Sequence, residues 1–85
     1  MNIKLYVRAG DPYSDMIKNL LKYYNVACEI IDISHRKEKQ HELFELSGQY
    51  NTPVLQIDEK VYTGFDREKI KELLGLAQNK QPSAN

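Results

Sequence analysis

The chain has 85 residues, 41% hydrophobic and 28% charged, a composition that suits one small packed domain and argues against disorder. Twelve Lys and Arg balance twelve Asp and Glu; without a positive surplus to release phosphate counterions, nucleic acid is not an expected partner. No apolar run nears the roughly 18–20 residues of a membrane-spanning helix, no signal-peptide pattern is visible at the start, and the single cysteine, Cys28, excludes an internal disulfide or a cysteine-rich metal cage. A cytoplasmic protein with no membrane contact is expected.

Ile3-Lys4-Leu5-Tyr6-Val7 alternates with a period of two and predicts a first strand. After the loop Arg8-Ala9-Gly10, Asp11-Pro12 predicts a helix start: an aspartate accepts an orphan backbone N–H, and proline fits the first turn because its missing N–H is not needed there. Met16, Ile17, Leu20, Leu21 and Tyr24 recur at helical spacing as a buried face, and Asn25 can adopt the left-handed conformation that ends the helix. Val26–Ile33 predicts a second strand, nearly continuously apolar at its centre and expected to be well covered.

Ser34 to Lys37 turns the chain into a polar helix over residues 36–47, with a thin buried stripe of Leu43, Phe44 and Leu46 and Gly48 at its end. Pro53–Ile57 and Lys60–Thr63 flank Asp58-Glu59, a hairpin without the usual glycine. Asp66 caps the last helix, Phe65 before it can staple onto Ile70, and Ile70, Leu73 and Leu74 form its stripe. Gly75 ends that helix, with Leu76 expected to fold back on Ile70. Residues 77–85 are polar and aperiodic, and a flexible tail is expected there after a domain spanning 1–76. The order is βαβαββα, an α/β class with three helices on a four-stranded mixed sheet.

That order resembles the thioredoxin fold, and three separated motifs make it more specifically similar to glutaredoxin. Asp11-Pro12-Tyr13-Ser14 stands where that family carries Cys-Pro-Tyr-Cys at the start of the first helix. Ser47-Gly48-Gln49-Tyr50-Asn51-Thr52-Pro53-Val54 resembles the segment leading into the family's cis-proline, and Gly64-Phe65-Asp66 the turn before the last helix. The form is that of the small bacterial glutaredoxin-like proteins and ribonucleotide-reductase redoxins, over residues 3–76. The departure is chemical. Both motif cysteines are replaced, by Asp11 and Ser14, and thiol–disulfide exchange needs a thiolate that neither a carboxylate nor a hydroxyl can supply. Loss of the first cysteine also removes the family's ligand for a shared iron–sulfur cluster.

The resemblance implies a recognition groove formed by Arg8, Asp11, Tyr13, Thr52, Pro53, Phe65 and Asp66. Asp11 has two readings: a fixed anion that mimics a thiolate at the positive end of the helix, or simply an N-cap. Arg8 stands where glutaredoxins carry a basic residue for the glycine carboxylate of glutathione; alternatively it is a solvated cation partnered by Asp11. Thr52, expected in a cis bond to Pro53, would offer its backbone to an extended thiol peptide as in strand addition. Asp66 could meet a γ-glutamyl group or cap its helix. Glutathione is the ligand the family would suggest, but Phe65 replaces a glycine of the glutathione-using members, and Asp11 sets a negative charge where the ligand's sulfur would lie.

Cys28 is read as a small buried hydrophobe of the second strand, and His35, His41 and Cys28 lack a metal-ligand spacing, so no metal is expected. The reading is a non-catalytic module that binds a protein or an extended peptide. Its rival is a thiol–disulfide oxidoreductase or electron carrier, working through Cys28 or thiols of a second subunit, and an altered form of an active member is a third alternative.

Overall fold

The computed structural model describes residues 1–76; the tail expected over 77–85 lies outside them. The elements are β1 (Ile3–Val7), α1 (Pro12–Tyr23), β2 (Glu29–Asp32), α2 (Lys37–Ser47), β3 (Val54–Ile57), β4 (Lys60–Thr63) and α3 (Arg67–Leu73). The sheet runs β2-β1-β3-β4, with β2 parallel to β1 and β3 and β4 antiparallel to their neighbours. A parallel pair needs a crossover, which α1 supplies, whereas β3 and β4 need only the turn at Asp58-Glu59. Asp58 takes φ 54°, so this aspartate does the work of the missing glycine.

Alternation along the central strands sorts the core into two layers. Leu5, Val7, Leu55 and Ile57 face one way, where Ile17, Leu20 and Leu21 of α1 and Ile70 of α3 close over them. Tyr6 and Val54 face the other way and pack with Ile31, Ile33 and Leu43 under α2. A strand's successive side chains point to opposite faces, so the same two strands seed both layers.

The helix ends behave as their residues require. Asp11 and Asp66 accept backbone N–H bonds from Tyr13 and Lys69. At the far end of α1, Asn25 (φ 57°) and Val26 donate to the carbonyls of Lys22 and Leu21; at the end of α3, Gly75 (φ 72°) and Leu76 donate to Glu72 and Lys71. Each is the paired closure that a left-handed residue after the helix makes possible. Phe65 packs against the core cluster that holds Ile70, as the staple requires.

Three expectations are corrected. The second strand is shorter than 26–33 and is an edge strand, with Ile31 its one buried residue and Ile30 44% exposed; order in the sheet, which apolar content does not encode, leaves one side of it open. Met16 is 47% exposed, because it lies on the flank of α1 and not under it. In α2 only Leu43 is buried; Phe44 is 41% exposed and stacks on Tyr50 with ring centroids 4.7 Å apart.

Candidate functional site

Register brings the motif residues together. β3 pairs antiparallel with β1 so that Val54 faces Tyr6; counting outward along both strands sets Thr52 level with Arg8, beside the loop that leads into α1. That loop is a turn closed by the Asp11 N–H on the Arg8 carbonyl (3.1 Å), with Gly10 at φ 83°. Its Ala9 N–H donates to Ser34 Oγ at 2.9 Å, which ties it to the segment after β2. The Thr52–Pro53 peptide is cis, and Pro53 is buried.

Asp11 stands at the centre of this junction. Its Oδ1 accepts the Tyr13 N–H at 3.0 Å, and its Oδ2 accepts the hydroxyls of Ser14 at 2.9 Å and Thr52 at 2.5 Å. Ser14 is wholly buried, and its Oγ also accepts the Arg8 N–H at 3.4 Å. One carboxylate thus joins the start of α1 to the loop before β3, across 41 residues of chain. Desolvation pushes the Asp11 pKa up, but the Thr52 and Ser14 hydroxyls and the backbone amides outweigh it and hold the carboxyl below its ordinary range. The carboxylate is therefore an anion at neutral pH whose oxygens are engaged within the fold.

A depressed native pKa means that the unfolded state binds the proton more readily, so the contribution of Asp11 is present above the unfolded value near ~3.9 and is lost as pH falls through the lower folded value. Asp32, bonded by Ser34, and Glu42, bonded by Tyr6, are shifted in the same direction and act in the same window. Asp11→Asn keeps a capping oxygen but cannot receive both hydroxyls as a carboxylate does. Urea unfolding at pH 7 and pH 3 is expected to show a smaller stability difference in this variant than in the wild type; an unchanged difference would show the junction carries no charge-dependent stability.

The other candidate residues divide around this centre. The Tyr13 ring, 56% exposed, lies 6.3 Å from the Phe65 ring and tilted to it. Arg8 is not paired with Asp11: its Nη2 donates to the Tyr50 carbonyl at 3.2 Å, and among the described residues no ion pair joins the two. Thr52 is half-buried, and its backbone N–H and C=O have no partner among the described residues. Asp66 caps its helix, accepting the Lys69 N–H at 3.2 Å, and its side chain has no hydrogen bond to the other candidates among the described residues.

The hydroxyls of Ser14 and Thr52 are the residues whose part the sequence reading missed. Ser14 stood only as a lost thiol, and Thr52 only as a backbone. A hydroxyl three residues after a capping aspartate was a local signal for the first; the second depends on register alone.

Residues 3–62 match the glutaredoxin family. The chain belongs to that family. Among its relatives is an uncharacterized glutaredoxin-like 8.6 kDa protein in the rubredoxin operon of Clostridium pasteurianum, 28% identical over 72 residues, which are 85% of this chain and 96% of that protein. Among solved structures, the thioredoxin-like protein BC3987 superposes with a TM-score of 0.78 at 32% identity, covering 85% of this chain and 99% of its own. The glutaredoxin grx-1 of Archaeoglobus fulgidus gives 0.78 at 28% identity over 86% and 85%.

Within this glutaredoxin-family chain the one thiol is far from the family's reacting position. Cys28 precedes β2 and does not lie in it, and Glu29 pairs with Lys4 near the beginning of β1. Asp11 follows the other end of β1, and the four residue steps from Ile3 to Val7 alone separate the two levels by roughly 13 Å at ~3.3 Å per residue. Cys28 is half-buried against the α1 core, not fully buried, and desolvation raises its pKa, which lowers its thiolate fraction. The family's iron–sulfur cluster takes a thiolate ligand at the position Asp11 holds, and here that position offers a carboxylate already bonded to two hydroxyls. The donor set does not fit the cluster. Among the described residues no three His, Cys, Asp or Glu side chains converge on a metal-sized space, and no helix is long and apolar enough to cross a membrane.

Proposed function

We infer that this glutaredoxin-family protein is a non-catalytic recognition module for a protein or an extended peptide. The observation that carries the reading is the Asp11–Ser14–Thr52 junction: where the family's chemistry needs two sulfurs, this chain has a carboxylate and a hydroxyl bonded to each other and to Thr52. Support for recognition comes from the backbone of Thr52, unpartnered among the described residues and free to pair with an extended strand, and from the Tyr13 ring, exposed and 6.3 Å from the Phe65 ring. The fixed charge of Asp11 and the side chain of Phe65 disfavour glutathione as the ligand.

Glutathione-coupled reduction of a small disulfide tests the inert half of the reading. Wild type and Cys28→Ala are expected to give the same background rate; turnover that disappears in Cys28→Ala would establish the rival, an oxidoreductase working through the lone thiol. Titration with a blocked, alternating Val-Ser octapeptide tests the other half, with amide shifts expected at Thr52. Shifts absent there, or glutathione binding tighter than about millimolar, would overturn it.

A further inference from the structure

We propose that the open edge of β2 pairs with the β2 of a second copy of this chain, antiparallel about a two-fold axis at Ile30, joining two four-stranded sheets into one. The edge lies on the side of β1 away from β3, so it stands apart from the Thr52 groove and does not depend on what that groove binds.

β2 has a neighbour on one side only. The Ile33 N–H donates to the Val7 carbonyl at 2.9 Å. Backbone groups alternate in direction along a strand, so Glu29 and Ile31 also turn theirs toward β1. Those of Ile30 and Asp32 point outward, with no backbone partner among the described residues. Such a row of free donors and acceptors is a template for another strand. Ile30 adds an apolar reason for pairing. It stands opposite Leu5 in register and so shares the α1 face, yet it is 44% exposed, because α1 closes over β1 and β3 and not over β2.

Symmetry and charge choose the register. A two-fold axis normal to the sheet returns each face to itself, so it centres on a residue that meets its own counterpart. Centred on Glu29 or Asp32, it sets like charges directly opposite, which destabilises the pairing. Centred on Ile31, whose backbone groups turn inward, it leaves Ile30 opposite the partner's Asp32. Centred on Ile30, it lets Ile30 exchange both N–H···O bonds with the partner's Ile30 and brings the two exposed side chains together. Glu29 then stands opposite the partner's Ile31 and Cys28 opposite the partner's Asp32, and no like charges are opposed. Glu29 keeps Lys4 beside it on β1, and Asp32 Oδ1 accepts its own chain's Ser34 N–H at 2.8 Å.

The helices leave room for this pairing. α1 packs on β1 and β3, about two strand spacings from the axis, so the two α1 helices stand roughly 19 Å apart at ~4.8 Å per spacing. Packed helices approach to about 8–10 Å, so these neither collide nor cover Ile30. The interface is mostly strand edge, below the ~1,200 Å² of a standard one, and the dimer is weak.

Sedimentation of the full chain, from about 10 µM to about 1 mM, is expected to show monomer passing to dimer with a midpoint near ~0.1 mM. In a mixture of labelled and unlabelled chains, the register predicts close intermolecular contact between the Cα protons of Glu29 and those of the partner's Ile31. Ile30→Lys, which sets two ammonium groups together at the axis, is expected to weaken association at least about tenfold. Ile30→Val is expected to retain it. The position is exposed, so the thermal midpoints of both variants should hold. No peptide is present, so the result is independent of the Thr52 reading. Monomer at every concentration, a dimer that Ile30→Lys leaves intact, intermolecular contacts in another register, or growth beyond the dimer, as β2-to-β4 pairing of successive copies gives, would each overturn the proposal.

Discussion

Asp11→Cys combined with Ser14→Cys is expected to turn this chain into a disulfide reductase, at a rate at least about tenfold above whatever the wild type shows. The side chains at 11 and 14 already converge, with Ser14 Oγ 2.9 Å from Asp11 Oδ2, and residues three apart at a helix start have the ~5 Å Cα separation that a disulfide needs. A thiolate introduced at position 11 would attack one sulfur of the substrate disulfide, and the other sulfur would leave as a thiolate that takes up a proton. The thiol at 14 would then attack the mixed disulfide, releasing the second product thiol and closing an intrachain disulfide that dithiothreitol reopens.

The magnitude follows from thiolate fraction. An ordinary thiol near pKa ~8.5 is roughly 3% ionised at pH 7, whereas one lowered to about 7 by a helix start is half ionised. Cys28 works in the opposite direction, since burial raises its pKa. Insulin reduction by dithiothreitol reads the outcome. A folded double variant without turnover would show that this junction is not the family's reacting position, and turnover from Ser14→Cys alone would show that Asp11 is not what silences it.

Leu5→Ala is expected to cost about 2–5 kcal/mol, the usual range for truncating a fully buried leucine. Leu5 is wholly buried at the middle of β1, which has partners on both sides, with Ile30 and Leu55 opposite it in register. For a domain of this size each kcal/mol moves the thermal midpoint by roughly 4–8 °C, so a fall of at least about 10 °C is expected. Total stability is typically only ~5–15 kcal/mol, and the variant could approach half unfolded near body temperature. Tyr23→Ala, at a side chain 76% exposed, should by contrast stay within about 0.5 kcal/mol. A Leu5→Ala loss below about 1 kcal/mol would mean that the α1 layer is not closed over the sheet.

Periodicity and end signals carried most of the architecture. Alternation at Ile3–Val7 and the Asp-Pro pair at 11–12 each specify a local conformation without help from distant residues, and the structure has β1 and the α1 cap there. The same holds for Asp66 and Gly75 around α3. The thin stripe of α2 was legible only in part: Phe44 has helical spacing with Leu43 and Leu46, yet it stacks on Tyr50 at the surface, and which apolar residue of a helix meets the sheet depends on how the helix is rolled.

At the site, residue types alone show that neither position 11 nor position 14 supplies the thiolate that thiol–disulfide exchange needs. What replaces it was settled by long-range pairing. The Thr52 hydroxyl reaches Asp11 only because β3 runs back along β1, and Arg8 turns away to the Tyr50 carbonyl for a similar reason.

The amino-acid order by itself determined the succession of strands and helices, their caps and the absence of cysteine at positions 11 and 14, since each of these depends on a residue and its near neighbours. Only the tertiary structure decided that β2 is an edge, that Cys28 lies at the opposite end of β1 from Asp11, and that Met16 and Tyr23 border a groove beside Arg67. Those outcomes depend on which elements become neighbours in space, and burial energy selects neighbours by the fit of whole faces, which no local stretch of chain contains.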